Sequence, residues 1–594
     1  MKNFLILLAA AAIVALPFIF RKEKGAGEWR EGDPVLVAIS PHIAVIRDEF
    51  ADAFSEWHRE KFGSPVKIDW RLIGGTTEIM RYLQGEFVAA HRGFVLRSGG
   101  KWHAGAAEAV LAKRRPADPA LAALWEDFRA RDAADDFSTT IDVFFGGGTY
   151  DHASAEAQGL TVPMSDDVLH ITDAEFPEEL GGEQWRSKTF FAAALSGFGI
   201  CSNPDRVAEL GIERAPSRWD DLADPRYFGQ VGVTDPTKSG SVAKAFEMII
   251  HSEMARALAG AGWSPAQIAE YEQQIAAAKL PAGELPDGVP QQYQADLERA
   301  WLGGLNLVRL IGANARYFTD GAGKVPVDVA AGDAAAGISI DFYSRVQAEV
   351  TKSGDRARLD YVTPLGGSSV SGDPISVLRG APHPETARRF MRFVLSPEGQ
   401  RLWNYRPGEP GGPKKSALRR LPVLREFYPS ADNPELDAKA RAHAAHTSDD
   451  LLDPAVDSYH LAKAFEYHPR WTSAHFGFFR QFVRAACMDS SAELRAAWQA
   501  INAAGGAEAN PAAMSLLELL PALPEPVDWR SAATYGSRHE TVDYMREWTK
   551  HFRATYRAAE AAAKKNTDAT AAATAAVSTP TAAAASSAMA ISEN

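Results

Sequence analysis

The chain has 594 residues and a formal charge of -13 at pH 7, a length that holds two or more domains with ample core. The acidic balance excludes a broad nucleic-acid face, which needs clustered basic charge. Two cysteines, Cys201 and Cys487, exclude a disulfide framework and a cysteine-ligated zinc set; both are expected as buried thiols, with one bridge between them as the alternative.

The N-terminus reads "MKNFLILLAAAAIVALPFIFRKEK": Lys2, an apolar run over residues 4–20, then Arg21, Lys22 and Lys24. This is the pattern of a signal peptide or signal anchor over residues 1–27, with Gly25-Ala26-Gly27 as the nearby cleavage candidate. The run is near the short limit for crossing a bilayer, and both readings export the rest of the chain.

"DPVLVAISPH" (33–42) reads as a buried strand ending in a Ser-Pro turn. Ile46, Phe50, Phe54 and Trp57 then repeat at helical spacing. "SPVKIDWRLIGG" is a second strand, "TTEIMRYLQ" opens a second helix, and "TTIDVFFGGGTYD" is a third strand ending in a glycine loop. This β-α-β-α-β order predicts a parallel sheet, so residues 33–162 form a first lobe with a helical insertion over 88–136. Residues 163–336 read as a second lobe, from "TFFAAALSGFGICSNP" through long alanine-rich helices. Residues 337–421 return to the first lobe through a hinge. Residues 422–556 are helical and aromatic and form an appended region. Residues 562–594 are Ala/Thr/Ser-rich with almost no large apolar side chain, and are expected to be disordered.

Two helix starts carry chemistry. Gly74-Gly75-Thr76-Thr77-Glu78 follows a strand and opens a helix. Its glycines admit a ligand close to the backbone, while free N–H groups and the positive end of the helix dipole favour an anion; a plain capped turn is the bland alternative. Thr237-Lys238-Ser239-Gly240-Ser241 repeats this chemistry in the second lobe, after Asp235-Pro236 ends a strand. Ser239 or Ser241 caps that helix.

The same stretch contains Lys238-Ser239-Gly240 and Ser241-Val242-Ala243-Lys244, two tags of the penicillin-binding enzymes. A serine acyl-enzyme on Ser241 would need these tags on opposite walls of a pocket, and one short turn cannot supply both. The Ser-x-Asn tag occurs at Ser592-Glu593-Asn594, in the tail.

The chain resembles the extracellular solute-binding proteins of bacterial ABC importers, type 2 periplasmic-binding-protein fold, in the ferric-iron, phosphonate and sugar-phosphate-type branch. The resemblance rests on "ISPH" (39–42), "GGTTEI" (74–79), "IDVFFGGG" (141–148), "LSGFGICSNP" (195–204), "DPTKSGS" (235–241), "GISIDFYS" (337–344) and "VLRGAPHPETARRFMRFVLSPEGQRLW" (377–403), and covers roughly residues 33–425. It implies a non-catalytic α/β Venus-flytrap, here with a C-terminal helical extension, that closes over a solute and presents it to a permease in the inner membrane. It implies ligand contacts from Ser40, His42, Gly75, Thr76, Thr77, Gly147, Gly148, Thr237, Ser239, Gly240, Ser241, Asp341 and Tyr343, and no cofactor. Ferric-binding members carry two adjacent tyrosines near the returning strand, whereas this chain has Phe342-Tyr343. The expected solute is therefore a small anion: a phosphorylated compound, phosphonate or carboxylate. Transported Fe(III), held by Tyr343 and His42, is the alternative ligand. From other classes, the alternatives are a hydrolase using Ser241 and a membrane-tethered sensor or scaffold. The expected location is the periplasm, with the protein soluble or anchored by its N-terminal apolar segment.

Overall fold

The computed structural model describes residues 29–131, 139–165, 169–280, 284–354, 356–535 and 541–578. The segment 1–27, expected as a signal peptide or signal anchor, lies outside the described residues; among the described residues no helix is long and apolar enough to cross a membrane.

The first lobe is built as β1 (Val35–Ile39), α1 (Ala44–Phe62), β2 (Lys67–Arg71), α2 (Thr76–Arg97), β3 (Val143–Phe145) and α3 (Thr149–Ala157). β1 pairs in parallel with both β2 and β3, as helix crossovers between short strands require. α2 continues unbroken past residue 88, because Leu83, Phe87, His91 and Val95 extend its buried stripe at four-residue spacing. The insertion thus starts near residue 98. Its helices Ala106–Val110 and Pro119–Ala130 pack Val110, Leu124 and Phe128 against that stripe, and residues 132–138 lie outside the described residues.

After a short hairpin of β4 (Glu179–Leu180) and β5 (Glu183–Gln184) comes β6 (Phe190–Ser202), thirteen residues that are all buried. At about 3.3 Å per residue it extends roughly 43 Å, too far for one small lobe. The second lobe adds β7 (Val231–Thr234), α4 (Gly240–Gly260), α5 (Gln291–Asn314), β8 (Ala315–Thr319), β9 (Ala336–Ile340) and α6 (Asp341–Val350). The chain then crosses back through β10 (Asp360–Val362) and β11 (Val370–Val377) to α7 (Pro384–Leu395) and α8 (Pro397–Asn404). The strand order is β2-β1-β3-β11-β6-β9-β7-β8, with β10 alongside β6.

β6 is shared between the lobes. Residues 190–197 pair with β11 in the first-lobe sheet, and from Phe198 onward the strand pairs with β9 in the second. This corrects two expected boundaries. The second lobe begins near residue 198 rather than 163. β9 lies between β6 and β7, so the chain returns to the first lobe at β10–β11 rather than at residue 337. At the crossover, a Cβ on Gly199 would meet the carbonyl oxygen of Val362 at 2.1 Å, so only glycine lets the two crossing strands approach this closely.

The segment 377–403 earns its specificity by packing. Phe390 and Phe393 of α7 and Trp403 of α8 meet Phe50 and Phe54 of α1, with Phe50 and Trp403 ring centroids 4.5 Å apart. The C-terminal region includes α9 (Phe476–Val483), α10 (Ser491–Ala503), α11 (Pro511–Leu517) and α12 (Thr541–Ser578). Trp471, Phe478, Phe482, Trp498, Trp548 and Phe552 share one continuous core with Ile250, Trp301 and Ile311 of the second lobe. The region is therefore a layer of that lobe.

α12 overturns the expectation of disorder over residues 562–578; residues 579–594 lie outside the described residues. Trp548, Phe552, Tyr556, Ala559 and Ala563 form one buried face, and alanine combines the highest helix propensity with a side chain small enough for close packing. Cys201 and Cys487 are free and buried, and burial pushes both thiols up to about 12.

Candidate functional site

A cleft of about 690 Å³ lies where β6 passes between the lobes. Four helices open onto it, each directly after a strand: α2 after β2, α3 after β3, α4 after β7 and α6 after β9. This places the cleft beyond the carboxyl ends of the strands, where backbone N–H groups at helix starts have no partner within their own helix. The N-cap residues of α2 and α3, Gly75 and Gly148, provide no side-chain cap, whereas Ser239 caps α4 by accepting from the Val242 N–H at 3.3 Å. Gly147 sits at φ +113°, and a Cβ there would strike Thr76 Cγ2 at 2.6 Å, so glycine is required both by its backbone and by its neighbour.

Ten of the thirteen residues singled out from sequence line this cleft: His42, Gly75, Thr76, Thr77, Gly147, Gly148, Ser239, Gly240, Ser241 and Tyr343. The other three lie outside it. Ser40 is buried and its hydroxyl accepts from the His42 N–H at 3.1 Å, fixing the turn. Thr237 is turned onto Asp235, donating from its hydroxyl at 2.6 Å. Asp341 accepts from the N–H groups of Gly197 and Phe342, at 3.1 and 2.7 Å, and so pins α6 to the hinge strand. Ser40 and Asp341 thus satisfy backbone N–H groups beside the cleft, and Thr237 is held by the carboxylate of Asp235.

Several charged residues of the cleft were not legible as site residues. Asp373 accepts from the Gly147 N–H at 2.6 Å and pairs with Arg420 Nη2 at 2.6 Å; Arg420 lies 4.5 Å over the Phe342 ring. Beside this pair His42 Nε2, in a side chain that is 4% exposed, has no hydrogen-bond partner among the described residues and stands 4.0 Å from Asp373 Oδ1. Burial lowers His42 to about 4 against the pull of Asp373, so its imidazole is neutral at pH 7.

Lys244 lies 2.8 Å from Glu183 and 3.0 Å from Glu247. Tyr467 and Thr472 donate their hydroxyls to Glu247 at 2.6 and 2.8 Å, and Ser369 donates to Glu183 at 2.7 Å. Burial alone would lower the Lys244 ammonium, but Glu183 and Glu247 outweigh it and hold it well above the ordinary lysine range. This cluster ties the β5 hairpin, α4 and the C-terminal layer together along one wall.

The C-terminal layer also reaches the mouth of the cleft. Phe476 stacks on Tyr150 of α3, with centroids 5.4 Å apart. Arg480 donates from Nε to the Pro236 carbonyl at 2.8 Å and from Nη2 to the Thr237 carbonyl at 3.0 Å. Burial pushes the Asp151 carboxyl up to about 6, and Arg480 moderates the shift. Among the described residues no group of three or more His, Cys, Asp or Glu could hold a metal ion.

Residues 137–423 match the sequence profile of the bacterial extracellular solute-binding proteins. An uncharacterized protein of Haemophilus influenzae is 24% identical over 261 residues, which cover 44% of this chain and 60% of that protein; the chain thus spans about three-fifths of the relative it matches. Among solved structures, the periplasmic binding protein AfuA from Actinobacillus pleuropneumoniae, with exogenous fructose-6-phosphate bound, is 17% identical. That match covers 73% of this chain and 95% of AfuA at a TM-score of 0.41. Iron-bound HitA from Pseudomonas aeruginosa is 17% identical, covering 69% of this chain and 97% of HitA at a TM-score of 0.36. PotD, a spermidine/putrescine transporter substrate-binding protein of Streptococcus pneumoniae, is 15% identical, covering 75% of this chain and 99% of PotD at a TM-score of 0.41. Residues 137–423, β3 through the segment after α8, are thus similar in sequence to the bacterial extracellular solute-binding proteins.

Proposed function

We propose that the protein is the substrate-binding component of an ABC importer, capturing a small anionic solute in the interlobe cleft and delivering it to a membrane permease. The observation that carries this reading is the convergence of the α2, α3 and α4 starts on one cleft, with two of them free of side-chain caps. Each helix start carries about half a positive charge and unpaired N–H donors, which suits phosphate, phosphonate or carboxylate oxygens. Thr76, Thr77, Ser239 and Ser241 add hydroxyls, and the neutral His42 adds an imidazole nitrogen. In this reading the protein works outside the cytoplasmic membrane.

The hydrolase reading loses its base. In a Ser-x-x-Lys pair the lysine must be able to take up a proton, and Lys244 stays protonated between two carboxylates. Fe(III) would call for several hard anionic oxygens, and burial raises the Tyr343 phenol away from ionisation.

Thermal unfolding of the full chain with inorganic phosphate, glycerol 3-phosphate, methylphosphonate, citrate and Fe(III) tests the proposal. A bound anion at about 100 times its Kd adds about 2.7 kcal/mol of stability. An upward shift with at least one anion is expected. A shift with Fe(III) alone would replace the solute, and no shift at all would remove the proposal.

A further inference from the structure

We infer that the C-terminal layer is part of the solute site, and that Arg480 is its charge-recognising residue. This rests on the anion reading above and deepens it, because Arg480 lies beyond the segment 137–423 that matches the family.

Four cations line the cleft: Lys238, Lys244, Arg420 and Arg480. Three are spent on carboxylates. Lys238 pairs with Asp320 at 2.6 Å, Lys244 with Glu183 and Glu247, and Arg420 with Asp373. Arg480 makes no ion pair within 4 Å among the described residues; it donates to the Pro236 and Thr237 carbonyls. Two backbone oxygens orient a guanidinium without neutralising it. Asp235, whose charge also acts on Arg480, is engaged by Arg484 at 3.2 Å. Asp151, also on the cleft lining, acts on Arg480 from beyond ion-pair distance; burial raises its carboxyl only to about 6, so at pH 7 it is ionised and offsets part of the Arg480 charge without engaging the guanidinium.

A second observation points to the same ligand space. His42 Nε2, in the first-lobe wall, is buried and has no hydrogen-bond partner among the described residues. A buried ring nitrogen without a partner is costly, and a solute oxygen in the cleft would satisfy it. A solute held at the helix starts would then meet His42 on the inner side and Arg480 at the mouth. The planar guanidinium suits bidentate recognition of a phosphate or carboxylate. Phe476 and Ser473, from the same layer, complete this side of the cleft.

The test compares Arg480→Gln, Arg480→Lys and Arg484→Gln in the full chain, with affinity for glycerol 3-phosphate and inorganic phosphate read by calorimetry at two salt concentrations. Arg484 sits one helical turn further along, holds Asp235, and does not line the cleft. The inference expects R480Q to weaken the bound anion at least tenfold and to reduce its salt dependence. R480K should fall between R480Q and the parent, because the charge is retained but the bidentate fork is lost, and R484Q should bind like the parent. Parent-like affinity in R480Q would overturn the inference while leaving the anion reading intact. Equal losses in R480Q and R484Q would also overturn it, by placing the effect in the turn at residues 235–237. No anion binding by the parent chain would remove the anion reading and this inference with it. Melting of each variant without ligand separates these results from misfolding.

Discussion

In the first lobe the chain enters α2 through Gly74-Gly75-Thr76-Thr77, and in the second it enters α4 through Thr237-Lys238-Ser239-Gly240-Ser241. Both are strand-to-helix turns that bring backbone N–H groups to the cleft. Their surroundings differ. The first has no side-chain cap and follows exposed Leu72 and Ile73, which are 57% and 41% exposed. The second is capped by Ser239, held at Asp235 by Arg484, and braced at two carbonyls by Arg480. Similar local chemistry thus yields one helix start open to a ligand and one fixed by a layer more than two hundred residues further along the chain. A helix start offers N–H donors, and the elements packed behind it decide how rigid and how charged that start is.

The wall that ties the lobes should be where this asymmetry breaks most visibly. Replacing Lys244 with methionine leaves Glu183 and Glu247 facing each other without their shared cation. Breaking a buried ion pair from one side typically costs about 3–5 kcal/mol. Urea unfolding of K244M is expected to show a loss in that range, and a loss below about 1 kcal/mol would mean that the cluster does not hold the lobes.

Asp151 sharpens the contrast through pH. Its folded pKa of about 6 lies above the ordinary 3.8, so the folded state binds more protons than the unfolded chain between these values. The stability it contributes is full below about pH 4 and is lost as pH rises through about 6. Asp151→Asn cannot ionise, so its stability relative to the parent should rise by about 1–2 kcal/mol from pH 4 to pH 7, allowing for the partial exposure of the carboxyl. Parallel stability curves for the two proteins over that range would show that Asp151 titrates normally.

The smallest effect separates the two helix starts directly. Ser239→Ala removes a cap and should cost about 1 kcal/mol, the usual value for an N-cap serine. Thr77→Ala removes no cap and should cost less than about 0.5 kcal/mol. Equal costs in thermal unfolding would erase the distinction drawn above.

Much of the framework was readable because it depends on local rules. The β1-α1-β2-α2-β3 order follows from periodicity, and the helix starts from glycine, threonine and serine at strand ends. Ten of the thirteen singled-out residues fell in the cleft because in such a sheet the carboxyl ends of the strands converge. Ser40, Thr237 and Asp341 lie outside the cleft, and their residue types do not reveal whether an oxygen faces the cleft or a neighbouring group of the chain. The lobe boundary was misread because the run 190–202 is one continuous buried strand, and which partner strand each half pairs with is set by residues far along the chain.

The sequence by itself determined the short-range features: where helices begin, which runs form strands, and that glycines stand at the strand-to-helix turns lining the cleft. Tertiary structure alone decided the charges of the cleft. Asp373 with Arg420, Lys244 with Glu183, and Arg480 with the 235–237 turn are separated by 47, 61 and more than two hundred residues. Their roles depend on distances of a few ångströms that no periodicity encodes. The charge state of a group such as His42 or Asp151 is set by burial and by neighbours the fold brings in from afar, because ionisation responds to the local dielectric and to nearby charge rather than to position in the chain.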